Sequence, residues 1–383
     1  MSVAAWRDAI PRWREHLLAS PAFRRWAEAN PLTRWIARRR AAQVFDLMAG
    51  FVYSQVLLAC VRLGLLERLS TQGPQSLPAL AAALGLPLAA CDRLLRAAVA
   101  LRLLEPRAGE RFGLGALGVP LAGNPGLRAL VLHHEALYRD LADPVALLRG
   151  QQTQGALAHF WPYALEAGNA GDASSAAAYS ALMAATQPMV AEQVLQAYPV
   201  RQHRRLLDVG GGEGAFACAA ARAASALRVE VFDLPGVAER ARARFAAAGL
   251  SERSQAWSGS FLVDALPAGA DLITVLRVAH DHDDDAVLRL LAAARLALAP
   301  GGRLLLAEPL ADTPGAAAMG DAYFGFYLLA MGQGRPRTAA RLTEMLQASG
   351  FNRVRQLSTR MPLLTGLLLA EAAPAGALKN RAE

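Results

Sequence analysis

The 383-residue chain has few of the features that mark secreted or membrane-spanning proteins. Its three cysteines, Cys60, Cys91 and Cys218, are scattered and odd in number, so they indicate neither a disulfide framework nor a zinc site. The N-terminus lacks the apolar core of a secretory signal. No uninterrupted apolar run reaches the roughly 20 residues that a membrane span requires. These absences favour a protein of the reducing cytoplasm.

Lysine is almost absent, since Lys379 is the single lysine and arginine supplies the rest of the positive charge. This usage is typical of a biased genome base composition, so the net charge of +8 is weak evidence about partners. The chain is 54% hydrophobic and 19% charged, which is sufficient for a full core. Its length predicts two domains, or one domain with a large extension.

Composition and periodicity divide the chain into five segments. We predict a basic, Trp-rich N-terminal arm over residues 1–40 and a winged-helix-like dimerisation domain over 41–123. A helical linker region over 124–200 leads to an α/β domain over 201–373, and a short tail covers 374–383.

The arm contains nine arginines against three acidic residues. It also contains four of the six tryptophans, Trp6, Trp13, Trp26 and Trp35. One interpretation is a solvated extension that packs on the body of the protein or on a second subunit. The other is a peripheral membrane contact, with tryptophan at the level of the headgroups and arginine on anionic lipid.

Residues 41–123 have the element order of a winged helix. A long apolar-periodic helix over Phe45–Leu69 precedes two shorter helices and a hairpin formed by 103–106 and 111–114. A winged helix that binds DNA would present a polar, basic third helix. The third helix is instead apolar, at Leu94, Leu95, Val99 and Leu103. We therefore expect a homodimer with this helix against a partner subunit, and no nucleic-acid partner.

Residues 204–373 alternate strands and helices as in a doubly wound α/β fold. Seven strands are predicted, at Arg205–Val209, Arg228–Phe232, Ser254–Trp257, Ala270–Leu276, Gly302–Ala307, Val354–Leu357 and Leu364–Glu371. The last two form an antiparallel hairpin at the edge of a Rossmann-like sheet. Ligands bind such sheets at the carboxyl ends of the early strands.

The most informative motif follows the first of these strands, where Asp208 precedes a glycine-rich loop. Gly210 and Gly212 allow a ligand to approach the backbone closely, and Asp233 at the end of the second strand suits a ribose diol. Asp208 and Glu213 would repel a pyrophosphate, which argues against a dinucleotide. An acidic loop suits the ammonium and sulfonium of S-adenosylmethionine (SAM). The motif therefore predicts that residues 201–373 form a SAM-dependent methyltransferase catalytic domain.

Methyl transfer to a hydroxyl group needs alignment, a dry site and often a base. His280 lies just past the fourth strand, and histidine titrates near neutrality. Two histidines with four aspartates are also a candidate metal cluster, but adjacent ligands rarely converge on one ion, and Asp283–Asp285 suit a helix start. We predict a base and no metal. Glu308 ends the neighbouring strand, where it is expected to accept a hydrogen bond from His280.

Several motifs together resemble the plant-type class I small-molecule O-methyltransferases over about residues 41–373, and these are Asp208–Gly214, Val231–Pro235, His280-Asp281, Pro300–Gly302 and Glu308. The resemblance implies that Gly210 and Gly212 contact the methionine part of SAM and that Asp233 contacts the ribose. It implies adenine contacts for Ser260 and Phe261, and it places Met183 near the sulfur and the acceptor. His280 would be the base, oriented by Glu308. Asp208 and Arg277 complete the predicted cofactor site.

Within this family the chain is most similar to the carotenoid O-methyltransferases of phototrophic bacteria, which act on the tertiary hydroxyl of hydroxyneurosporene and demethylspheroidene. The similarity lies in Phe45–Gln55, Asp321–Tyr327 and Gly334–Thr338. It implies a long apolar acceptor pocket, and the candidate lining residues are Met183, Tyr323, Phe324, Tyr327 and Met331. Ordinary helix packing is an equally good interpretation of these residues.

Two positions depart from the plant pattern. Plant members usually have an acidic residue where Ser260 stands, so adenine contacts are expected to differ. They also have a second histidine-orienting glutamate where Pro336 stands, so at most one carboxylate is expected to hold His280. Proximity and desolvation are then expected to matter more than a strong base for methylation of a tertiary alcohol.

The predicted function is SAM-dependent O-methylation of an acyclic hydroxylated carotenoid in carotenoid biosynthesis. The predicted enzyme is a homodimer of the cytoplasm, peripheral at the inner or photosynthetic membrane. Two alternatives stay open at this point. One is an O-methyltransferase of a phenolic or polyketide acceptor, and the other is a winged-helix regulator that uses a SAM fold as a ligand sensor.

Overall fold

The computed structural model describes residues 13–151, 155–160 and 173–372. The predicted tail at 374–383 and the first twelve residues of the arm, with Trp6, lie outside the described residues. The chain divides into two compact units, Met1–Gly123 and Asn124–Glu383. The five-segment division made from the sequence stays a prediction.

The arm is helical where it is described. Residues 13–19 form a helix, followed by α1 (Pro21–Ala29) and α2 (Arg34–Arg62). Pro21 occupies the first turn of α1, where a missing N–H costs nothing, and the Ser20 hydroxyl accepts from the N–H of Phe23 at 3.4 Å.

The long helix predicted over Phe45–Leu69 is wrong at both ends. α2 begins earlier, within the arm, and ends at Arg62. Gly64 then adopts a positive φ of 64°, and a separate helix, α3 (Leu65–Gln72), follows. The left-handed glycine interrupts the helix although the apolar periodicity continues.

α2 is long and apolar enough to cross a membrane by length and composition alone. It has no uninterrupted apolar run of this length, because Ser54 and Gln55 break the run, but its mean hydropathy is still that of a membrane span. Only 17% of its most apolar 18-residue window is buried. Large apolar side chains are exposed on it, at Val44, Phe45, Leu47, Met48, Phe51 and Val52.

The rest of the first unit has the winged-helix order. Its helices are α4 (Leu77–Leu84), α5 (Leu88–Ala100) and α6 (Gly118–Ala122), and its strands are β1 (Gln75–Ser76), β2 (Leu104–Arg107) and β3 (Arg111–Leu114). The strands form an antiparallel sheet in the order β1-β3-β2. Leu95 and Leu103, expected against a partner subunit, are buried within the chain itself. The apolar third helix therefore contributes to its own unit's core.

Among the described residues at the start of the second unit are the helices α7 (Pro125–Asp140), α8 (Pro144–Leu148), α9 (Ala156–Phe160) and α10 (Ala173–Ala197). The buried carboxylate of Asp140 accepts from the N–H groups of Ala156 and Leu157 at 2.6 and 2.8 Å. It thus satisfies donors at the start of α9 that have no partner within the helix.

The remainder of the second unit is a seven-stranded α/β sandwich. Its strands are β4 (Arg205–Val209), β5 (Arg228–Asp233), β6 (Ser254–Ser258), β7 (Ala270–Leu276), β8 (Leu298–Glu308), β11 (Phe351–Leu357) and β12 (Gly366–Ala372). A separate two-stranded sheet consists of β9 (Leu310–Ala311) and β10 (Arg337–Thr338), which follow β8 in the chain. The helices that alternate with the strands are α11 (Ala215–Ala223), α12 (Pro235–Ala247), α13 (Asp284–Ala297) and α15 (Ala339–Ala348). The sheet order is β11-β12-β8-β7-β4-β5-β6.

The sheet confirms the predicted fold class. β4 to β8 are mutually parallel, and β12 pairs antiparallel with both β8 and β11. Two apolar clusters cover the faces of the sheet, one around Phe216 and one around Leu290. The carboxyl ends of β4, β5, β7 and β8 consequently share one edge, where the sequence predicted the site.

A π-helical segment at Ala318–Phe324 continues into α14 (Gly325–Met331). Gly320 within it permits close approach to β9, because a Cβ there would lie 2.3 Å from the carbonyl oxygen of Leu310. π-Helical turns are frequent at functional sites. This turn carries the predicted pocket residues Tyr323 and Phe324.

Candidate active site

The glycine loop after β4 depends on its glycines for its conformation. Gly210 and Gly212 have φ angles of 67° and 58°, which residues with a side chain rarely adopt. A Cβ on Gly210 would lie 2.6 Å from Cγ2 of Val278. The N–H of Gly212 donates to Oδ2 of Asp233 at 2.8 Å, which joins the loop to the end of β5.

Asp208 carries a buried oxygen that fits a cation. The Thr274 hydroxyl donates to its Oδ1 at 2.6 Å, whereas its Oδ2 is buried and has no hydrogen-bond partner among the described residues. Burial raises the pKa of this carboxyl to about 7, the Thr274 hydrogen bond opposes the rise, and the charge of Asp233 adds to it. A buried carboxylate oxygen without a donor is costly, and the α-ammonium of SAM is the type of group that would satisfy it.

Glu213 does not contribute to this site as the sequence analysis assumed. Its carboxylate accepts from Arg240 at 3.1 Å and from Arg244 at 2.7 Å, both on α12. Two guanidinium groups therefore compensate its charge. The acids that remain to attract a cationic ligand at this site are therefore Asp208 and Asp233.

The residues expected near ribose and adenine lie around the ends of β5 and β6. The Asp233 carboxylate accepts from the N–H groups of Gly212 and Leu234, each at 2.8 Å, which fixes its orientation. Phe261 contacts His282 edge to face, with 5.1 Å between ring centroids. The N–H of Ser260 donates to Asp264 at 2.8 Å. Their assignment to ribose and adenine stays a prediction.

The hydrogen bond predicted between His280 and Glu308 is present. Nδ1 of His280 donates to Oε2 of Glu308 at 2.6 Å, and both side chains are buried. Oε1 of Glu308 also accepts from the N–H groups of Val278 and Ala279 at 3.0 and 2.8 Å. The carboxylate therefore orients the ring and closes the turn that carries it.

A second carboxylate contacts His280, contrary to the expectation of one at most. It belongs to the next residue, Asp281, whose Oδ1 lies 3.1 Å from Nε2 of His280. Burial opposes the charged imidazolium, but Asp281 and Glu308 outweigh it, so the pKa of His280 is raised. The missing glutamate at Pro336 thus does not leave His280 with a single acidic neighbour.

Arg277 lies between α10 and the loop of residues 278–283 that carries His280, which we call the histidine loop. It has a positive φ of 56°, uncommon for a residue with a side chain. Its guanidinium donates to the Thr186 hydroxyl at 2.8 Å, to the Gln187 side-chain oxygen at 2.7 Å and to the Met183 carbonyl at 3.2 Å. These contacts hold the part of α10 that carries Met183. A cofactor contact for Arg277 stays a prediction.

The candidate pocket residues form one aromatic cluster beside His280. Phe324 meets the His280 ring edge to face at 5.7 Å, and Tyr323 in turn contacts Phe324 at 5.0 Å. Tyr327 and Met331 are buried in the same cluster, and Met183 packs against it. The structure thus brings all five predicted residues together in one cluster, which contacts the candidate base through Phe324.

Two histidines of α7, His133 and His134, also contact this cluster. His133 Nε2 is 2.7 Å from the Tyr327 hydroxyl, and His134 stacks on Tyr323 at 5.5 Å. Burial lowers the pKa of His133 to about 4 and also lowers that of His134, so both are neutral at pH 7. No sequence spacing could reveal these contacts, because α7 and α14 are almost 200 residues apart.

The metal interpretation of the histidine loop finds no geometric counterpart. Within the described ranges, no three His, Cys, Asp or Glu side chains are arranged to hold a metal ion. His280 instead binds two carboxylates, and Asp283 caps α13 by accepting from the N–H of Ala286 at 2.8 Å.

The parallel sheet, the glycine loop with a cation-seeking Asp208 and the histidine–glutamate pair at the same edge define a SAM-dependent methyltransferase. The model of the O-methyltransferase domain matches residues 138–352, and the model of the O-methyltransferase dimerisation domain matches residues 45–121. The chain belongs to the O-methyltransferase family. Its dimerisation domain supports self-association.

Relatives and solved structures agree with this assignment. The demethylspheroidene O-methyltransferase of Cereibacter sphaeroides is 44% identical over 354 residues, which cover 92% of this chain and 93% of the relative. The S-adenosylmethionine-dependent methyltransferase SibL in its apo form has a TM-score of 0.70 at 28% identity, covering 87% of this chain and 99% of that structure. Human N-acetylserotonin methyltransferase in complex with SAM has a TM-score of 0.73 at 24% identity, over 88% and 98% of the two chains, and shows the fold.

Proposed function

We propose that this enzyme methylates the tertiary hydroxyl of an acyclic hydroxylated carotenoid of the hydroxyneurosporene or demethylspheroidene type. The observation that carries the proposal is the aromatic cluster of Phe324, Tyr323 and Tyr327, which begins at the His280 ring and continues into a buried apolar cluster. Flat aromatic and apolar groups suit a polyene chain. The 44% identity to a demethylspheroidene O-methyltransferase supports the same acceptor class.

The residues at the site supply orientation and a proton acceptor. SAM, when bound, supplies the methyl group on a sulfonium. Glu308 keeps a proton on Nδ1 of His280, so that Nε2 is the atom that accepts the proton of the acceptor hydroxyl. Asp281, at 3.1 Å from Nε2, stabilises the imidazolium that results, which loses its proton to solvent once the product has left. The surrounding apolar cluster excludes water.

The cofactor residues follow from the same geometry. Asp208 would bind the α-ammonium through its unpartnered Oδ2, and Gly210 and Gly212 leave room for the methionine part. Asp233 would accept from the ribose hydroxyls, and Ser260 and Phe261 would flank the adenine.

The test is methyl transfer from labelled SAM to a hydroxylated acyclic carotenoid in detergent micelles, beside a panel of phenols. We expect label in the carotenoid and its loss in His280→Ala, which keeps SAM binding. Label only in a phenol would replace the carotenoid by a phenolic acceptor. SAM binding without label in any acceptor would favour the ligand-sensing regulator.

We also propose a homodimer that contacts a membrane through its arm. Residues 45–52 of α2 expose apolar side chains within the dimerisation domain, which suits burial against a second copy. The described part of the arm before it, residues 13–40, carries seven exposed arginines and two glutamates. Trp13, Trp26 and Trp35 are exposed there by 67, 53 and 59%. Exposed tryptophan beside arginine is the pattern of an interfacial helix.

Vesicle flotation tests the membrane contact. The enzyme is expected to float with vesicles that contain anionic phosphatidylglycerol and to stay in solution with neutral phosphatidylcholine vesicles. Joint replacement of the three exposed tryptophans by alanine should abolish flotation without changing the dimer mass in light scattering. Equal flotation of this variant would refute the role of the arm.

The proposed location is the cytoplasm, at the surface of the inner or photosynthetic membrane, where a polyene acceptor dissolves. The three cysteines are free and buried, which suits a reducing compartment.

A further inference from the structure

The loop that carries His280 is held on its outer side by an arginine. β10 pairs in parallel with β9 and so places Arg337 against residues 279–284. The Arg337 side chain is 3% exposed. Its Nη1 donates to the Ala279 carbonyl at 2.6 Å and its Nη2 to the His282 carbonyl at 2.7 Å. Its Nε donates to Asp284 at 2.8 Å.

These bonds complement those of Glu308 on the inner side. The Glu308 carboxylate accepts from the N–H groups of the turn, whereas the Arg337 guanidinium donates to its carbonyl groups. The His280 carbonyl accepts from the N–H of Arg335 at 2.8 Å. Gly334 makes this approach possible, because a Cβ there would lie 2.3 Å from the His280 carbonyl oxygen. The turn is therefore fixed from two opposite sides.

We propose that Arg337 is a positioning residue for methyl transfer, which fixes the backbone of residues 279–282 and thereby holds the His280 ring on Glu308. The inference rests on the proposed role of His280 as proton acceptor.

The charge of Asp284 does not depend on Arg337 alone for its compensation. Its carboxylate is also bound by Arg335 and Arg341, each at 2.9 Å, so it keeps two cationic partners when Arg337 is replaced. Loss of Arg337 also removes the donors to the Ala279 and His282 carbonyls of the turn, for which Asp284 cannot substitute. The planar guanidinium reaches both at once, and a lysine ammonium does not match this geometry.

The variants are Arg337→Gln and Arg337→Lys, with Arg341→Gln as the matched control. Arg341 binds Asp284 but no carbonyl of the turn, and its side chain is 48% exposed. We expect kcat to fall about 10- to 100-fold in Arg337→Gln, because a misplacement of about 1 Å has that effect. The Kd for S-adenosylhomocysteine should stay within about twofold, since Arg337 contacts no predicted cofactor residue. Arg341→Gln should match the wild type, and Arg337→Lys should lie between the two.

A readout besides activity separates positioning from a general loss of folding. His280 is faced by Asp281, Glu308, Arg277 and His282, and its contact with Glu308 depends on the position of the turn. A loosened turn lengthens that contact. The imidazole titration of His280, followed by NMR of the S-adenosylhomocysteine complex, should then move to lower pH in Arg337→Gln. Added guanidinium should restore part of the activity of Arg337→Ala.

Two results would overturn the proposal. One is wild-type kcat and an unchanged His280 titration in Arg337→Gln. The other is a loss of kcat that equals the loss of binding-competent enzyme, with neither a shifted titration nor rescue by guanidinium. If His280→Ala keeps full turnover, the proposed function of His280 fails instead, and the NMR titration still decides whether Arg337 positions the ring.

Discussion

The most direct consequence of the buried acid at the end of β4 concerns Asp208→Asn. The substitution keeps the shape of the side chain and an oxygen that can accept from Thr274, but it removes the charge. A hydrogen bond to a charged group contributes about 1.5 to 3 kcal/mol. We therefore expect the Kd for S-adenosylhomocysteine, which carries the same α-ammonium, to rise about 10- to 150-fold.

The pH dependence makes the prediction more specific. Without ligand, the pKa of Asp208 is about 7 because the carboxyl is buried. An ammonium beside it lowers that pKa, so binding releases a proton near and below neutrality. Only the ionised form binds well, and the affinity of the wild type should fall about tenfold between pH 8 and pH 6. Asp208→Asn should show no such fall.

Calorimetry in two buffers of different ionisation enthalpy measures both the affinity and the number of protons released. Glu213→Gln is the matched control, because it removes a nearby acid whose charge is already compensated by Arg240 and Arg244. It should bind S-adenosylhomocysteine as the wild type does. Equal binding by Asp208→Asn, or equal weakening by both variants, would refute the assignment of the cation site.

The same shift predicts a gain in stability for the ligand-free variant. An acid whose pKa is raised by folding destabilises the folded state once it ionises. The stability that the protonated Asp208 confers is therefore lost as pH rises from about 4 to about 7. Without ligand at pH 8, Asp208→Asn should unfold at a higher temperature than the wild type. A lower unfolding temperature would mean that the carboxylate has a stabilising partner.

Three further predictions concern the base, the glycine loop and the pocket. His280→Ala should lower kcat by about 100-fold or more with an unchanged Kd for S-adenosylhomocysteine. The kcat of the wild type should rise with pH through a midpoint above the usual pKa of histidine, because Nε2 can accept a proton only above the raised pKa of His280. Unchanged turnover in His280→Ala, or a wild-type rate that falls with rising pH, would contradict the role of His280 as base. Gly210→Ala should abolish cofactor binding in calorimetry because its φ is 67° and its Cβ would contact Val278, whereas Gly236→Ala, with no atom within 4 Å of the added Cβ, should bind normally. Phe324→Ala should raise the KM for the carotenoid at least about tenfold while the Kd for S-adenosylhomocysteine stays the same, and equal KM values would remove the aromatic cluster from the pocket.

The sequence predicted the elements whose signal is periodic or lies at a strand end. All seven strands of the sheet appear within a few residues of their predicted positions, because buried parallel strands are short apolar runs. The contact between His280 and Glu308 was predictable for a topological reason. Adjacent parallel strands end at the same edge, and both residues follow directly from such ends.

What the sequence could not predict depends on side-chain direction and on contacts between distant segments. Glu213 lies in the loop, but nothing local indicates that it turns toward α12 rather than toward the ligand. Arg337 and the histidine turn are more than 50 residues apart, and β9 must pair with β10 before they meet. The break at Gly64 was missed because apolar periodicity continues on both sides of a left-handed glycine.

The central claim is tested most directly by the identity of the methylated product. Wild-type enzyme and His280→Ala would be incubated with deuterium-labelled SAM and a tertiary-hydroxylated acyclic carotenoid in detergent, and the product would be analysed by mass spectrometry and NMR. We expect a labelled methyl ether at the tertiary carbon with the wild type and almost none with His280→Ala. An unmodified carotenoid beside a methylated phenol would contradict it.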